Sequence, residues 1–159
     1  MADQNFTLTQ EYLLSIFDYK DGNLYWKKRN QKQAGCSSGE NYRRITLKNK
    51  TYREHRLIFL MHHGYLPEFI DHIDGNKSNN LIENLREATH QQNQWNRPVS
   101  KNSKTKIKGV CFHKASNRWI AQCSLNSKVN YLGIYITIEE AQKAVENFRF
   151  LNHGEFAKS

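Results

Sequence analysis

The chain has 159 residues, of which 38% are apolar, 12% aromatic and 25% charged, and 24 Lys and Arg against 15 Asp and Glu leave a net charge of +9. That many aromatics exclude a disordered tail, and no apolar run approaches the roughly 18 residues of a membrane span. The length and the low apolar share favour two modest cores over one large core.

Met1 to Thr7 lacks the basic and apolar regions of a signal peptide, so a soluble, cytoplasmic protein is the expectation. Residues 9–17 predict a short helix, with Leu13, Ile16 and Phe17 on one face. Asp18 to Trp26 reads as a hairpin turning on Asp21-Gly22. Gly35 to Gly39 reads as a polar loop. Tyr42 to Leu47 and Thr51 to Glu54 form a second hairpin across Lys48, Asn49 and Lys50. His55 to His63 is an apolar helix that Gly64 ends and Pro67 keeps from continuing. Phe69 to Ile73 and Leu85 to Ala88 are short strands, separated by an Asn-rich loop from Asp74 to Asn80. Thr89 and Gln92 form a capping box that opens another helix, and Pro98 follows it. Residues 98–107 are basic and poor in apolar side chains, which marks a linker. Beyond it, alternation through Val110 and Phe112, through Trp119, Ala121 and Cys123, and through Tyr131, Gly133 and Tyr135 predicts three strands. Thr137 and Glu140 cap a last helix, whose apolar face is Ala141, Ala144, Val145 and Phe148; Gly154 stops it. The expected domains are thus 1–97 and 108–159.

Cys36, Cys111 and Cys123 are odd in number and form no Cys-x-x-Cys pair, which argues against a disulfide scaffold or a Cys-rich zinc site. They are expected as small buried or half-buried thiols. Charge is segregated. Residues 27–53 hold Lys27, Lys28, Arg29, Lys32, Arg43, Arg44, Lys48, Lys50 and Arg53 against the single acid Glu40. Residues 88–138 hold no Asp or Glu at all, yet carry Arg97, Lys101, Lys104, Lys106, Lys108, Lys114, Arg118 and Lys128. Two basic blocks around an acid-containing middle suggest a polyanion held on both sides of a reaction centre. Neither block reads as a basic amphipathic helix, which argues against a membrane surface.

The segment from Phe69 to Asn93 sets a carboxylate, Asp71, beside an imidazole, His72, on one strand, and an amide, Asn93, on the following helix. With the ribbon packed on that helix, Asp71 and Asn93 approach each other. Two oxygen ligands with the other positions open suit a hard cation such as Mg²⁺ or Mn²⁺. An imidazole with a pKa near about 6.5 accepts a proton close to neutral pH. Together these groups fit hydrolysis of a phosphodiester, the metal polarising the phosphate and His72 activating water. Successive strand residues point to opposite faces, so Asp71 and His72 serve one phosphate only if the strand twists or ends there, or if the substrate wraps its edge. Asp74, Asn76, Asn79 and Asn80 read as turn chemistry, and His62, His63, His90 and His153 as surface or helix-end packing. Arg56 and Arg86 are candidates for clamping phosphates, or else pair with local acids.

These residues resemble the HNH endonucleases of the phage and homing type, which have a ββα-metal fold. Asp71, His72, Asn84 and Asn93 match that family's pattern in order, and His55-Arg56-Leu57 and Gly64-x-x-Pro67 resemble its upstream part. The resemblance covers about residues 52–97. It implies a divalent metal on Asp71 and Asn93, His72 as general base, and Asn84 pinning the loop through its amide. Asn rather than His at position 93 makes a zinc-preferring variant the less favoured one.

The C-terminal residues are similar to the Apetala-two/ERF type of DNA-binding domain. The likeness runs through Lys108-Gly109-Val110, Trp119-x-Ala121 and Tyr131-Leu132-Gly133-x-Tyr135 to Glu139-Glu140-Ala141. That resemblance implies a three-stranded antiparallel sheet in the major groove with a helix behind it. Lys108 and Arg118 would meet phosphate or guanine, Gln122 adenine and Tyr131 the backbone, with Cys111, His113 and Ser124 at the other sheet positions. Cys111, His113, Gln122 and Ser124 depart from the plant pattern, so its site preference does not carry over. Trp119 is expected in the core. The expected protein is an α+β chain in which a ββα-metal nuclease module with N-terminal hairpins precedes a small three-stranded sheet packed on one helix. The expected activity is metal-dependent endonucleolytic cutting of double-stranded DNA, of homing or nicking type, by a phage-encoded protein whose oligomeric state stays open, with a monomer favoured. The alternatives are a DNA-binding regulator with an inactive nuclease module and an RNA binder that stacks bases on Tyr and Trp.

Overall fold

A computed structural model describes residues 6–28, 30–38, 42–100 and 102–156. Arg29, Gly39, Glu40 and Lys101, named above in the basic blocks and the loop, lie outside the described residues. The chain is mixed α and β with small antiparallel sheets, and it divides into two compact units, Met1–Ala88 and Thr89–Ser159. The division falls before the capping-box helix, whereas the expected linker lies after it.

In the first unit, Thr9 caps α1 (Gln10–Ile16) by accepting from the Tyr12 N–H. β1 (Phe17–Lys20) and β2 (Asn23–Trp26) pair antiparallel across Asp21 and Gly22, both at positive φ, as a two-residue turn requires. β3 (Cys36–Ser38), β4 (Tyr42–Leu47) and β5 (Lys50–Arg53) form an antiparallel sheet in that order. The expected polar loop at 35–39 is therefore corrected: Cys36 to Ser38 pair with Arg44 to Tyr42. Three small residues offer no alternation to read, so only the partner strand reveals this one. The second turn rests on Lys48 and Asn49, both at positive φ, so β5 starts at Lys50.

α2 (Glu54–His63) follows β5 directly and ends at Gly64, whose left-handed φ of +76° lets its N–H reach the Leu60 carbonyl. Leu57 to Met61 are buried in succession, so α2 is covered on every side and forms the spine of this unit. Around it pack Leu13, Phe17, Leu24, Ile45, Leu47, Ile70 and Leu85. Each such side chain contributes about 1.5–3 kcal/mol on burial. β6 (Phe69–His72) pairs antiparallel with β7 (Leu85–Ala88), Asp71 opposite Arg86 and His72 opposite Leu85. The strand expected to reach Ile73 stops at His72, where a turn begins.

The second unit opens with α3 (His90–Trp95), on which both halves of the Thr89–Gln92 capping box form. β8 (Val110–His113), β9 (Arg118–Leu125) and β10 (Lys128–Tyr135) make a three-stranded antiparallel sheet with β9 in the middle. α4 (Ile138–His153), capped by Thr137 and Glu140, sets Ala141 and Val145 against Val110 and Ala121, with Trp119 partly buried beside them. Ala144 and Phe148 are only half-buried; the buried neighbour on that helix is Arg149, which donates to the Lys108 carbonyl at 2.9 Å. The segment expected as a linker is knit into this unit. Ile107 packs on the core, and the Thr105 hydroxyl lies 3.1 Å and 3.0 Å from the Ile107 and Val110 carbonyls. Cys123 is buried, but Cys36 and Cys111 are exposed, against expectation. Cys111 follows the inward Val110 and so faces outward. Among the described residues no helix is long and apolar enough to cross a membrane.

Gly109 carries φ +87°, and a Cβ there would lie 2.4 Å from the Gln122 carbonyl oxygen. Gly109→Ala should therefore destabilise the second unit by about 2 kcal/mol or more. Thermal unfolding followed by circular dichroism measures this; an unchanged midpoint would show that the turn has room.

Candidate functional site

The first unit holds a buried polar assembly between α2, β4, β6 and the loop after β6. Glu54, the first residue of α2, is 0% exposed. Its Oε1 accepts the Leu24 N–H at 3.0 Å, and its Oε2 accepts the Asn80 Nδ2 at 3.3 Å. Arg43 Nε lies 3.4 Å from the same Oε2 as an ion pair, while its Nη2 donates to the Ala34 and Gly35 carbonyls. Burial pushes the Glu54 carboxyl up; the Leu24 N–H, Arg43 and Asn80 pull it back.

Asn80 passes the contact on. A carboxylate only accepts, so the Asn80 NH₂ must face Glu54, and the carbonyl Oδ1 then faces His72 Nε2 at 3.0 Å. Neutral His72 therefore carries its proton on Nε2 and its lone pair on Nδ1. The ring is 4% exposed, with His55 at 5.0 Å and Tyr42 at 6.2 Å between ring centroids. Burial holds the His72 pKa down, opposed by Asn80, Asp74 and Asp71. His55 is pushed down to about 3 by burial, then by His72, Arg53 and Arg56. Arg53 and Lys77 stand over the Tyr42 ring at 4.6 Å and 4.8 Å, so cations gather beside the imidazoles.

Asp71 is also buried, and its Oδ2 accepts from Arg86 Nε at 3.1 Å and Nη2 at 3.0 Å. Strand alternation sends Asp71 and His72 to opposite faces of β6, Asp71 toward its cross-strand partner Arg86. The loop after β6 is braced by its own amides. Asn84 Nδ2 donates to Asp74 Oδ1 at 3.0 Å and to the Asn79 carbonyl at 2.7 Å, while its Oδ1 accepts the Asp74 N–H at 3.0 Å. Asp74 further accepts from the Asn76 N–H and from Asn79 Nδ2, both at 2.7 Å. Asn80, expected as one more turn residue, instead points into the interior.

Among the described residues no group of three or more His, Cys, Asp or Glu gathers that would hold a metal ion. A hard cation that keeps several waters needs only one or two protein oxygens, so the donor chemistry of Asp71 fits such an ion, with Arg86 as its competitor. Asn93 is half-buried on α3 in the second unit.

The expected cationic contacts divide. Arg56 donates to the Glu68 and Pro67 carbonyls at 3.0 Å each. Lys108 donates from Nζ to the Gln94, Trp95 and Arg97 carbonyls at 3.2, 2.7 and 2.9 Å, and burial pushes its pKa down to about 8. It thus closes the C-terminal end of α3. On the exposed face of the second sheet, His113 lies opposite Arg118 and Gln122 opposite Tyr131, with Cys111 and Ser124 on the same face. Tyr131 is 62% exposed. His113 Nδ1 lies 2.8 Å from the Ser116 hydroxyl.

Sequence reasoning missed Glu54, Asn80 and Tyr42. The available signal was an acid closing a strand of basic residues, immediately before an apolar helix.

A sequence model of the family described as HNH endonuclease matches residues 52–95, which span β5 to α3. Protein 3.8 of Escherichia phage T7 is 30% identical over 111 residues, covering 69% of this chain and 91% of that protein. An uncharacterised HNH endonuclease of Acanthamoeba polyphaga mimivirus is 49% identical over 53 residues, covering 31% of this chain and 28% of that protein. No solved structure matches the chain significantly.

The buried His55 gives a pH prediction. The unfolded chain binds its proton near the usual 6.5, whereas the folded ring refuses it until about 3. Between those values acidification favours the unfolded state, so stability falls as the pH drops. His72 acts in the same direction. Glu54 acts oppositely, its contribution fading as the pH rises above the usual 4.5. The melting temperature of the first unit should fall from pH 7 to pH 4, and less steeply in His55→Asn. Equal slopes would show that the fold accepts the proton.

Proposed function

We propose that this chain, which belongs to the family of Protein 3.8 of Escherichia phage T7 and carries an HNH endonuclease domain at residues 52–95, is a divalent-metal-dependent DNA endonuclease of the nicking or homing type. The observation that carries this reading is His72. Its Nε2–H is anchored on Asn80, its Nδ1 holds the lone pair, and burial keeps the ring unprotonated at neutral pH. In that state Nδ1 takes a proton from water as the water oxygen attacks phosphorus. The P–O3′ bond breaks and the leaving O3′ takes a proton from solvent, giving a 5′-phosphate and a 3′-hydroxyl, and His72 then releases its own proton to solvent.

Asn84 holds the loop that carries Asp74 and Asn80 in place during this step. The oxygen donors that the sequence pattern supplies for a metal are Asp71 and Asn93, in a ββα-metal arrangement. A bound Mg²⁺ or Mn²⁺ would supply charge neutralisation at the scissile phosphate and the leaving oxygen. In the second unit we propose an Apetala-two/ERF-like mode, with the exposed sheet face in the major groove of double-stranded DNA. Arg118 and Gln122 would read base edges, and His113 and Tyr131 would meet the backbone. Arg56, Arg86 and Lys108 contribute positive potential; direct phosphate contact would require them to leave their present partners.

A second reading, a DNA-binding regulator with an inactive nuclease module, draws on the Arg86–Asp71 ion pair, which already occupies one carboxylate oxygen. Cleavage separates the two. His72→Ala should keep DNA and metal binding and lose about 10²-fold or more in cleavage rate, while Asp71→Ala should also lose metal affinity. Cutting by His72→Ala at the parent rate would remove the base assignment. DNA affinity should fall by roughly 10³–10⁵ between about 50 and 200 mM salt if about 6–10 phosphates are engaged. A flat salt response in a filter-binding titration would contradict the charge argument.

A further inference from the structure

We infer that Asn80 and Glu54 are positioning residues for His72: the carboxylate orients the amide, and the amide fixes the ring and its tautomer for proton transfer. The inference rests on the reading of His72 as the base, and it extends the site to residues that the ordered Asp-His-Asn-Asn pattern leaves out.

The three groups form one directed chain. Glu54 Oε2 accepts from Asn80 Nδ2 at 3.3 Å, and Asn80 Oδ1 meets His72 Nε2 at 3.0 Å. Their exposures are 0%, 2% and 4%, so water does not compete for these contacts. Glu54 also has a structural role through the Leu24 N–H and Arg43. Asn80 differs: one end of its amide faces Glu54 and the other faces the imidazole.

The backbone around Asn80 is held to match. A Cβ on Gly22 would lie 3.0 Å from the Leu81 nitrogen and 3.1 Å from the Asn80 carbonyl carbon, so the turn of the first hairpin sits directly on that peptide. The same hairpin supplies Tyr19, whose hydroxyl oxygen accepts the Ile82 N–H at 3.0 Å. The hairpin thus clamps residues 80–82 from outside while Glu54 draws the Asn80 side chain inward. A ring located in this way presents Nδ1 in one direction. Small errors in such placement cost about 10²-fold in rate.

The test uses the full chain and duplex DNA with Mg²⁺ or Mn²⁺. Asn80→Ala should lower kcat by about 10- to 100-fold while KM and DNA affinity stay within about twofold. Asn80→Asp alone sets two carboxylates against each other and should be slow. Asn80→Asp combined with Glu54→Gln rebuilds the chain in part, since the new amide donates to the new carboxylate, which still accepts from His72 Nε2, while Arg43 Nε loses its ion-pair partner at residue 54. That double variant should cut faster than either single variant. Nitrogen-detected NMR of labelled His72 supplies a readout independent of cutting: the parent shows the Nε2–H tautomer, and Asn80→Ala shows a mixture. Parent-rate cutting by Asn80→Ala, an unchanged His72 tautomer in that variant, or loss of affinity in step with kcat would each overturn the inference. A parent chain that cuts no DNA would instead overturn the nuclease reading and this inference with it, and no variant would then be slower than the parent.

Discussion

A carboxylate removed from water must find its partners where it is buried. Glu54 is the group on which the first unit turns, because the partners it finds come from three remote parts of the chain: Leu24 on β2, Arg43 on β4 and Asn80 in the loop after β6. Its place at the start of α2 ties these contacts to the most deeply buried helix of the unit. Removing one partner of such a group costs more than the contact itself is worth, since the others are left facing an uncompensated charge. The hairpin, the basic sheet and the Asn-rich loop are therefore coupled through one side chain. His72 hangs from the end of that coupling.

The parts legible in the sequence are those fixed by short-range chemistry. The Thr89–Gln92 and Thr137–Glu140 boxes, the Asp21–Gly22 turn and the Gly64 stop each depend on residues within a few positions of one another, and each forms. On β8 and β9, inward Val110, Ala121 and Cys123 alternate with outward residues, whereas on β10 a bulge between Tyr131 and Gly133 breaks the expected alternation and turns Tyr131 to the outer face. β3 was not legible, since its few small polar residues carry no period and its pairing is decided by β4. Cys111 is exposed for a related reason, because burial there depends on which parity the sheet presents to α4.

The candidate site divides along the same line. Asp71, His72 and Asn84 stand out by order and spacing, and the amide of Asn84 donates to Asp74 and to the Asn79 carbonyl. Asn80 looked like its neighbours Asn76 and Asn79, and only the contact with Glu54, far off in sequence, distinguishes it. Arg56, Arg86 and Lys108 are candidates for phosphate contact by sequence, with pairing to local acids the alternative for the two arginines; each is engaged within its own unit by carbonyls or by Asp71. Net charge marks a surface for a polyanion; it does not say which cations are already committed. The exposed sheet face bearing His113, Arg118, Gln122 and Tyr131 keeps its side chains turned outward, as the alternation of β8 and β9 requires and as the pairing of Tyr131 with Gln122 continues on β10.

The central claim is that water, deprotonated at His72, attacks a DNA phosphate. Cutting duplex DNA with the full chain and Mg²⁺ in heavy-oxygen water, followed by mass spectrometry of the new ends, tests it most directly. The account predicts one heavy oxygen in the 5′-phosphate of every new end and none in the 3′-hydroxyl. A DNA that stays intact, or new ends bearing a 3′-phosphate, would contradict it.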